Sequence, residues 1–150
     1  MADPTFPATD GVVYALAIRG DTLYLGGSFH AAGGVMTGGF AALDAQSGAP
    51  RRVWPRVAGR VYATASDGKG GWYFGGFFTS IAGVGRNGLA HIRADGSLDA
   101  WNPSVHGQVY ALAIACSTVY VGGSFDSIGG QPRACFGAVD AASGAVLPIN

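Results

Sequence analysis

Three segments of this chain follow one pattern: an apolar strand, a short turn, then Tyr-apolar-Gly-Gly-x-Phe. They read VYALAIRGDTLYLGGSF from Val13, VYATASDGKGGWYFGGFF from Val61 and VYALAIACSTVYVGGSF from Val109. The leading tyrosines Tyr14, Tyr62 and Tyr110 stand 48 residues apart. A regular period of this size marks a repeat architecture, in which one supersecondary unit cannot bury its own apolar faces and relies on its neighbours. The period sets the fold class and also the weight of every other residue. What recurs in all three copies is read as packing, and a binding role is sought where the copies differ.

Composition narrows the class. The 150 residues are 49% hydrophobic and 12% charged, with 26 glycines. All nine acidic residues are aspartate, glutamate is absent and Lys69 is the only lysine. A chain short of helix-favouring surface residues but rich in Gly, Val, Thr and aromatics is expected to be all-β. Nine basic residues balance the nine acidic ones, which removes the electrostatic case for nucleic acid or an anionic membrane as partner. No stretch approaches the ~18 apolar residues of a membrane span. The start, MADPTFPATD, lacks the basic and apolar regions of a signal peptide. Cys116 and Cys135 have no counterparts in the other copies. They are expected at opposite ends of one strand, too far apart for a disulfide, and hence as free thiols.

Each unit reads as four strands. The first, at 13–18 in copy one and 109–114 in copy three, is nearly continuous apolar and suits a strand covered on both faces. The second carries the tyrosine and the glycine pairs Gly26-Gly27, Gly75-Gly76 and Gly122-Gly123. Glycine inside a strand marks a bulge or a close backbone approach, so the recurrence predicts tight packing of unit on unit. Phe29, Phe78 and Phe125 follow, then a loop ending in glycine, a third strand and the turns AQSG, ADG and AASG. A short fourth strand leads to Trp54-Pro55 and Trp101-Asn102-Pro103, with Ile149 at the tryptophan position of the third unit. The units are expected at about 11–59, 60–107 and 108–150, within a single repeat domain, with 1–10 the tail of a preceding unit. Phe6-Pro7 matches the end of such a unit, and Asn150 stands where Asn102 stands in copy two. Start and stop thus fall at one point of the repeat, and an integral number of units with mutually complementary ends is expected.

The Gly-Gly pair followed by an apolar-Asp turn and a tryptophan resembles the kelch β-propeller repeat. The closer resemblance is to the bacterial propeller repeat built on Tyr-Val-Gly-Gly-Ser-Phe, the delta-60 repeat, with related repeats in fungal cortical polarity proteins. It is carried by YLGGSF from Tyr24, YFGGFF from Tyr73 and YVGGSF from Tyr120, and it covers about residues 6–150. Unit two departs most, with Thr64, Ala65 and Ser66 in place of the apolar run and Arg93 in place of the aspartate. The resemblance implies a propeller, usually in exported or surface-anchored proteins, and supplies no catalytic residues. Three four-stranded blades would form half of such a ring. They are expected to pair head-to-tail into a six-bladed dimer, because a heterologous interface that closes buries both open faces. The rival architecture is a β-trefoil or β-prism, which closes with three repeats.

Several motifs imitate chemistry. Gly83-Val84-Gly85-Arg86-Asn87-Gly88 matches a dinucleotide fingerprint, but a strand rather than a helix is expected after it. Ser66-Asp67-Gly68-Lys69 matches S-x-x-K without its companion motifs and falls in a turn. His30, His91 and His106 show no metal-ligand spacing, and His91 is read as a packed or satisfied histidine. Asp44 and Asp140 repeat beside a turn and are read as bonding to backbone. The recurring aromatics, the three leading tyrosines included, are assigned to the core. No enzyme activity, cofactor or metal is expected.

A binding site is therefore sought where the copies disagree, on the face where the loops after strand two and between units emerge. Those positions are His30, Thr79 and Asp126; Thr37, Arg86 and Arg133; and Asp10, Ala58 and His106. Of these, Arg86 and Arg133 are candidates for paired contacts to carboxylate or sulfate. His30, Asp10, His106 and Asp126 are candidates for further polar contacts. The expected function is a noncatalytic binding or scaffold module with a protein or glycan ligand. A fragment of a propeller enzyme and a sugar-binding three-fold lectin are the alternatives.

Overall fold

In the computed structural model, residues 8–51 and 54–149 are described; Phe6-Pro7 and Asn150 lie outside them. The chain is all-β. The first unit comprises β1 (Val13–Arg19), β2 (Thr22–Gly27), the small hairpin β3 (Ala31–Ala32) and β4 (Val35–Met36), and β5 (Phe40–Asp44). The second comprises β6 (Val57–Ser66), β7 (Trp72–Ile81), β8 (Val84–Gly85) and β9 (Leu89–Ile92). The third comprises β10 (Val105–Ala115), β11 (Thr118–Ile128), β12 (Gln131–Pro132) and β13 (Phe136–Asp140). In each unit the second long strand is central, pairing antiparallel with the strand before it and with the last strand of the unit. The three sheets stack in sequence order, β1 and β2 against β6, then β6 and β7 against β10. No comparable packing among the described residues returns the third sheet to the first, so the stack is open, unlike a closed three-fold barrel.

The expected fourth strand is reduced to single bridges, Leu43 with Pro50, Ile92 with Leu98 and Val139 with Val146. Two backbone bonds flank each of the outer bridges, Asp44 N to Ala49 O with Arg51 N to Ala42 O in unit one, and Asp140 N to Ala145 O with Leu147 N to Ala138 O in unit three. Asp44 Oδ1 accepts from the amides of Gln46 and Ser47, and Asp140 Oδ1 from those of Ala142 and Ser143, the backbone-bonding role expected of them.

The glycine pairs divide their work. A Cβ at Gly26 would lie 2.8 Å from Val61 Cγ1 of the next unit, and one at Gly75 would lie 2.6 Å from Val109 Cγ1. The first glycine of each pair therefore admits the neighbouring unit, as the recurrence predicts. The second admits the unit's own inner strand: a Cβ at Gly76 would lie 2.0 Å from Arg60 O, and at Gly123 2.1 Å from Gln108 O. That close approach coincides with a bulge, with register shifts between Val13 and Ala15, Val61 and Ala63, and Val109 and Ala111. The bulged residues are the three leading tyrosines. A bulge leaves one residue unpaired and re-aims its side chain.

The core lies between the sheets. Phe40, Trp54, Val61, Trp72 and Phe74 pack between units one and two. Tyr73, Leu89, Trp101, Val109 and Val121 pack between units two and three. Phe29, Phe78 and Phe125 are buried as expected. The leading tyrosines are not: Tyr14 and Tyr110 are half exposed, because the bulge turns them out of the core. Nor are the outer units' first strands covered on both faces. Leu16 and Ile18 are each 67% exposed on unit one, and Ala111 and Ala113 are exposed on unit three. No helix is long and apolar enough to cross a membrane among the described residues.

Candidate functional site

A cleft of about 940 Å³ lies between units two and three, at the end where the loops after β7 and β11 emerge. It is lined by Phe77, Thr79, Asn87, Ser104, His106, Ser124 and Asp126 among others. Two devices shape it. Gly107, at φ 133°, lets the start of β10 press on Phe125, where a Cβ would lie 2.6 Å from the Phe125 Cα. Ser104 adopts a positive φ of 49°, and its carbonyl accepts the Gly129 amide at 2.8 Å, tying the inter-unit loop to the loop after β11.

Within the cleft, His106 Nδ1 lies 3.0 Å from both carboxylate oxygens of Asp126. Ser127 Oγ donates to Asp126 at 2.9 Å. The His106 bond, with Ser127 behind it, holds Asp126 below its ordinary value, so it is an ionised acceptor at neutral pH. Both side chains are largely exposed. Unit one carries the same pair with the partners exchanged: Asp10 Oδ1 accepts from the His30 amide at 2.7 Å and the Ala31 amide at 2.9 Å. Those two amides, Ala31 first, keep Asp10 below its ordinary value. His30 Nδ1 stands 4.0 Å from Asp10 Oδ2. Unit two has Ala58 and Thr79 at these positions. Four of the six candidate residues are thus brought together as two pairs, one per outer unit.

Arg86 and Arg133 are placed elsewhere. Arg86 donates to the carbonyls of Gly85 at 2.7 Å and Asp99 at 2.9 Å. Arg133 donates to those of Pro132 at 2.8 Å and Leu147 at 3.4 Å. In both, Nε is buried without a partner. The guanidinium groups brace the loop against the segment after the turn and contribute no contact to the pairs.

Two features escaped sequence reading. Phe77 is 51% exposed and lines the cleft. Its signal was available, since the other copies of Tyr-x-Gly-Gly-x-Phe have serine there, Ser28 and Ser124. The second is a row of tyrosines along the inner strands. Tyr14 and Tyr62 meet edge-on at 5.1 Å between ring centroids, and Tyr62 and Tyr110 lie tilted at 5.3 Å. The Arg60 guanidinium bonds to Tyr62, which raises the arginine above its ordinary value, and Tyr110 Oη donates to Gln108 at 3.1 Å.

At the opposite end, a smaller cleft of about 470 Å³ holds Asp67, Tyr73, His91, Asp99 and Cys116. His91 Nε2 is 2.9 Å from Asp67 Oδ2, Nδ1 is 3.5 Å from Asp99 Oδ2, and the ring stacks on Tyr73 at 4.3 Å. This is a satisfied histidine, as the sequence suggests. Burial pushes Asp67 up, but the bonds from His91 and the amides of Lys69 and Gly71 outweigh it and hold the carboxyl below its ordinary value. Asp99 behaves alike, with the Trp101 amide and Arg93 outweighing burial. The S-x-x-K segment is a turn closed on Asp67, and the glycine-rich segment continues into β9. Cys116 and Cys135 are both free and exposed. No group of His, Cys and Asp among the described residues is arranged to hold a metal ion.

A family model described as a domain of unknown function (DUF5122), a β-propeller, matches residues 65–100. That segment runs from the end of β6 through β9 to the threshold of Trp101, most of the second unit. The match supports a β-propeller repeat family over that segment. No curated protein and no solved structure matches it.

Proposed function

We propose that this chain is a noncatalytic binding or scaffold module, three β-propeller blades of the delta-60 type that close with a second copy, head to tail, into a six-bladed ring. The observation that carries the ring is the chemistry of the two outer faces. Inside the chain, Gly26 and Gly75 each receive the valine of the next unit, with Thr64 beside Val61 in one case and Leu112 beside Val109 in the other. At Gly122 a Cβ would meet only its own strand neighbour Ala111, at 3.8 Å. One period before Val61 and Thr64 stand Val13 and Leu16, and Leu16 lies 67% exposed on the other outer face. Phe136 repeats the pattern. It is 49% exposed, whereas its counterparts Phe40 and Leu89 are wholly buried between units.

Each outer face is therefore half of a contact the chain already makes twice. Apolar sheet faces left in water mark interaction sites, and a second copy offers the complement without any new surface chemistry. Two copies give six blades, within the four to eight that propellers use. Scaffolds of this fold present their edges rather than a built-in reaction, and the polar residues that differ between units stand at one such edge, on loops in unit one and at the strand ends of β10 and β11 in unit three.

Native mass spectrometry at micromolar concentration tests the reading. The expected species is a dimer of twice the 15.1 kDa chain mass. Leu16→Asp, an exposed change that spares the chain's own core, is expected to leave only monomer. A wild-type monomer, or a Leu16→Asp dimer, overturns the ring.

A further inference from the structure

We propose that the cleft between units two and three binds a neutral oligosaccharide, with the Phe77 ring as the stacking platform and Asp126, His106 and Asn87 as the polar contacts. The inference deepens the binding-module reading and rests on it. It does not rest on the ring, because every residue named lies within one chain.

Phe77 is the starting point. The packing motif recurs in three copies, and only the second places a large apolar side chain where its sisters have Ser28 and Ser124. Phe78, beside it, is buried and fills the core position, so Phe77 is not needed there. A half-exposed phenylalanine in this cleft offers a flat apolar surface in water. Its partner must present a flat apolar face of similar size and still tolerate a polar rim.

The rim limits the choice. It holds one carboxylate and one imidazole, already paired at 3.0 Å, with an amide from Asn87 and hydroxyls from Ser104 and Ser124. Arg86 and Arg133 are committed to backbone carbonyls, and Arg60, opposite Phe77 in the β6–β7 ladder, bonds to Tyr62. A phosphate, sulfate or carboxylate ligand in the cleft would be repelled by the ionised Asp126. A purely apolar ligand would strand the amide, hydroxyl and carboxylate groups without partners. A pyranose ring satisfies both halves, because its axial C–H face lies on an aromatic ring while its hydroxyls donate and accept in the ring plane. Asp126 and Asn87 can each engage a pair of neighbouring hydroxyls. A broad, open cleft also suits a chain of several sugars better than a small enclosed molecule.

The experiment titrates the intact protein with neutral hexaoses of β-1,4-glucose, β-1,4-xylose, β-1,4-N-acetylglucosamine and α-1,4-glucose, read by saturation-transfer NMR and calorimetry. At least one is expected to bind with millimolar or tighter affinity. Phe77→Ser, which restores the sister residue, is expected to weaken that affinity about tenfold or more. Phe77→Tyr is expected to keep the affinity, and Asp126→Asn to lower it less than Phe77→Ser. Thermal midpoint and native mass are expected to be unchanged in all three. No binding by any hexaose at millimolar concentration, or equal binding by Phe77→Ser, overturns the proposal. Selection of peptides that need Phe77, without hexaose binding, overturns it in favour of a protein partner. A monomeric chain that binds hexaoses through Phe77 leaves the cleft standing and removes the ring.

Discussion

The seam between units two and three and the outer faces of units one and three are built from the same residue positions, yet they are in opposite states. At the seam, Val109 and Leu112 fill the space over Gly75, Tyr73 Oη donates across to the Ala141 carbonyl at 2.7 Å, and Trp101 Nε1 donates to the Asp140 carbonyl at 2.9 Å. On the outer faces the corresponding glycine is uncovered, and the corresponding leucine and phenylalanine stand in water. The strand and the glycine form in either state. What distinguishes them is only whether a neighbouring inner strand is present, which is how a quasi-one-dimensional repeat distributes its stability.

The contrast is sharpest at the glycines. Gly75→Val forces a side chain into Val109 and Leu112 and is expected to cost about 3 kcal/mol, read by urea unfolding. Gly122→Val meets open space on the same strand position and is expected to change the separated chain's stability by less than about 0.5 kcal/mol. Equal destabilisation by the two would break the comparison. At the hydroxyls the expected difference is smaller. Tyr73→Phe leaves the Ala141 carbonyl without its cross-seam donor and is expected to cost about 1 kcal/mol. Tyr120→Phe, the counterpart on the outer face, is expected to cost less in the separated chain, by the same unfolding measurement.

Acid acts on the seam as well. Asp67 and Asp99 are held below the ordinary aspartate value of 3.8. On lowering the pH the unfolded chain therefore takes up these protons first. Their contribution is complete above about pH 4 and is lost as pH falls through the depressed native values. Thermal midpoints measured from pH 6 to pH 2 are expected to be flat and then to fall. Asp67→Asn is expected to flatten that fall, whereas Asp126→Asn, on an exposed pair, is expected to change it less.

Periodicity carries much of the fold because packing residues must recur wherever units meet. Phe29, Phe78, Phe125, Trp101 and the first glycine of each pair could be assigned on that ground alone. Periodicity tells position but not direction. Tyr14 and Tyr110 recur as regularly as the core aromatics, yet the bulge set by the second glycine turns them outward. Turn signals and apolar residues recur where a fourth strand is expected, but they do not tell how far pairing runs beyond the turn, which here is one bridge per unit.

For the cleft, disagreement among copies located Asp10, His30, His106 and Asp126, but not that two columns of the repeat touch. That contact depends on the segment before β1 meeting the loop after β2 in unit one, and on the register of β10 against β11 in unit three. The direction of Arg86 and Arg133 was equally invisible, since it is set by carbonyls thirteen and fourteen residues away. Phe77 is legible as the one copy that replaces the serine of Ser28 and Ser124, but its exposure beside the buried Phe78 is not.

If the two outer faces are complementary and meet head to tail, two variants that each spoil one face should rescue each other when mixed. Leu16→Asp spoils one face and Gly122→Val the other, and each alone is expected to be monomeric by native mass spectrometry. Mixed in equal amounts, they retain one intact Gly122 face and one intact Leu16 face that can meet. The predicted result is a heterodimer that neither variant forms alone. A mixture that stays monomeric, or either variant dimerising by itself, would contradict the claim.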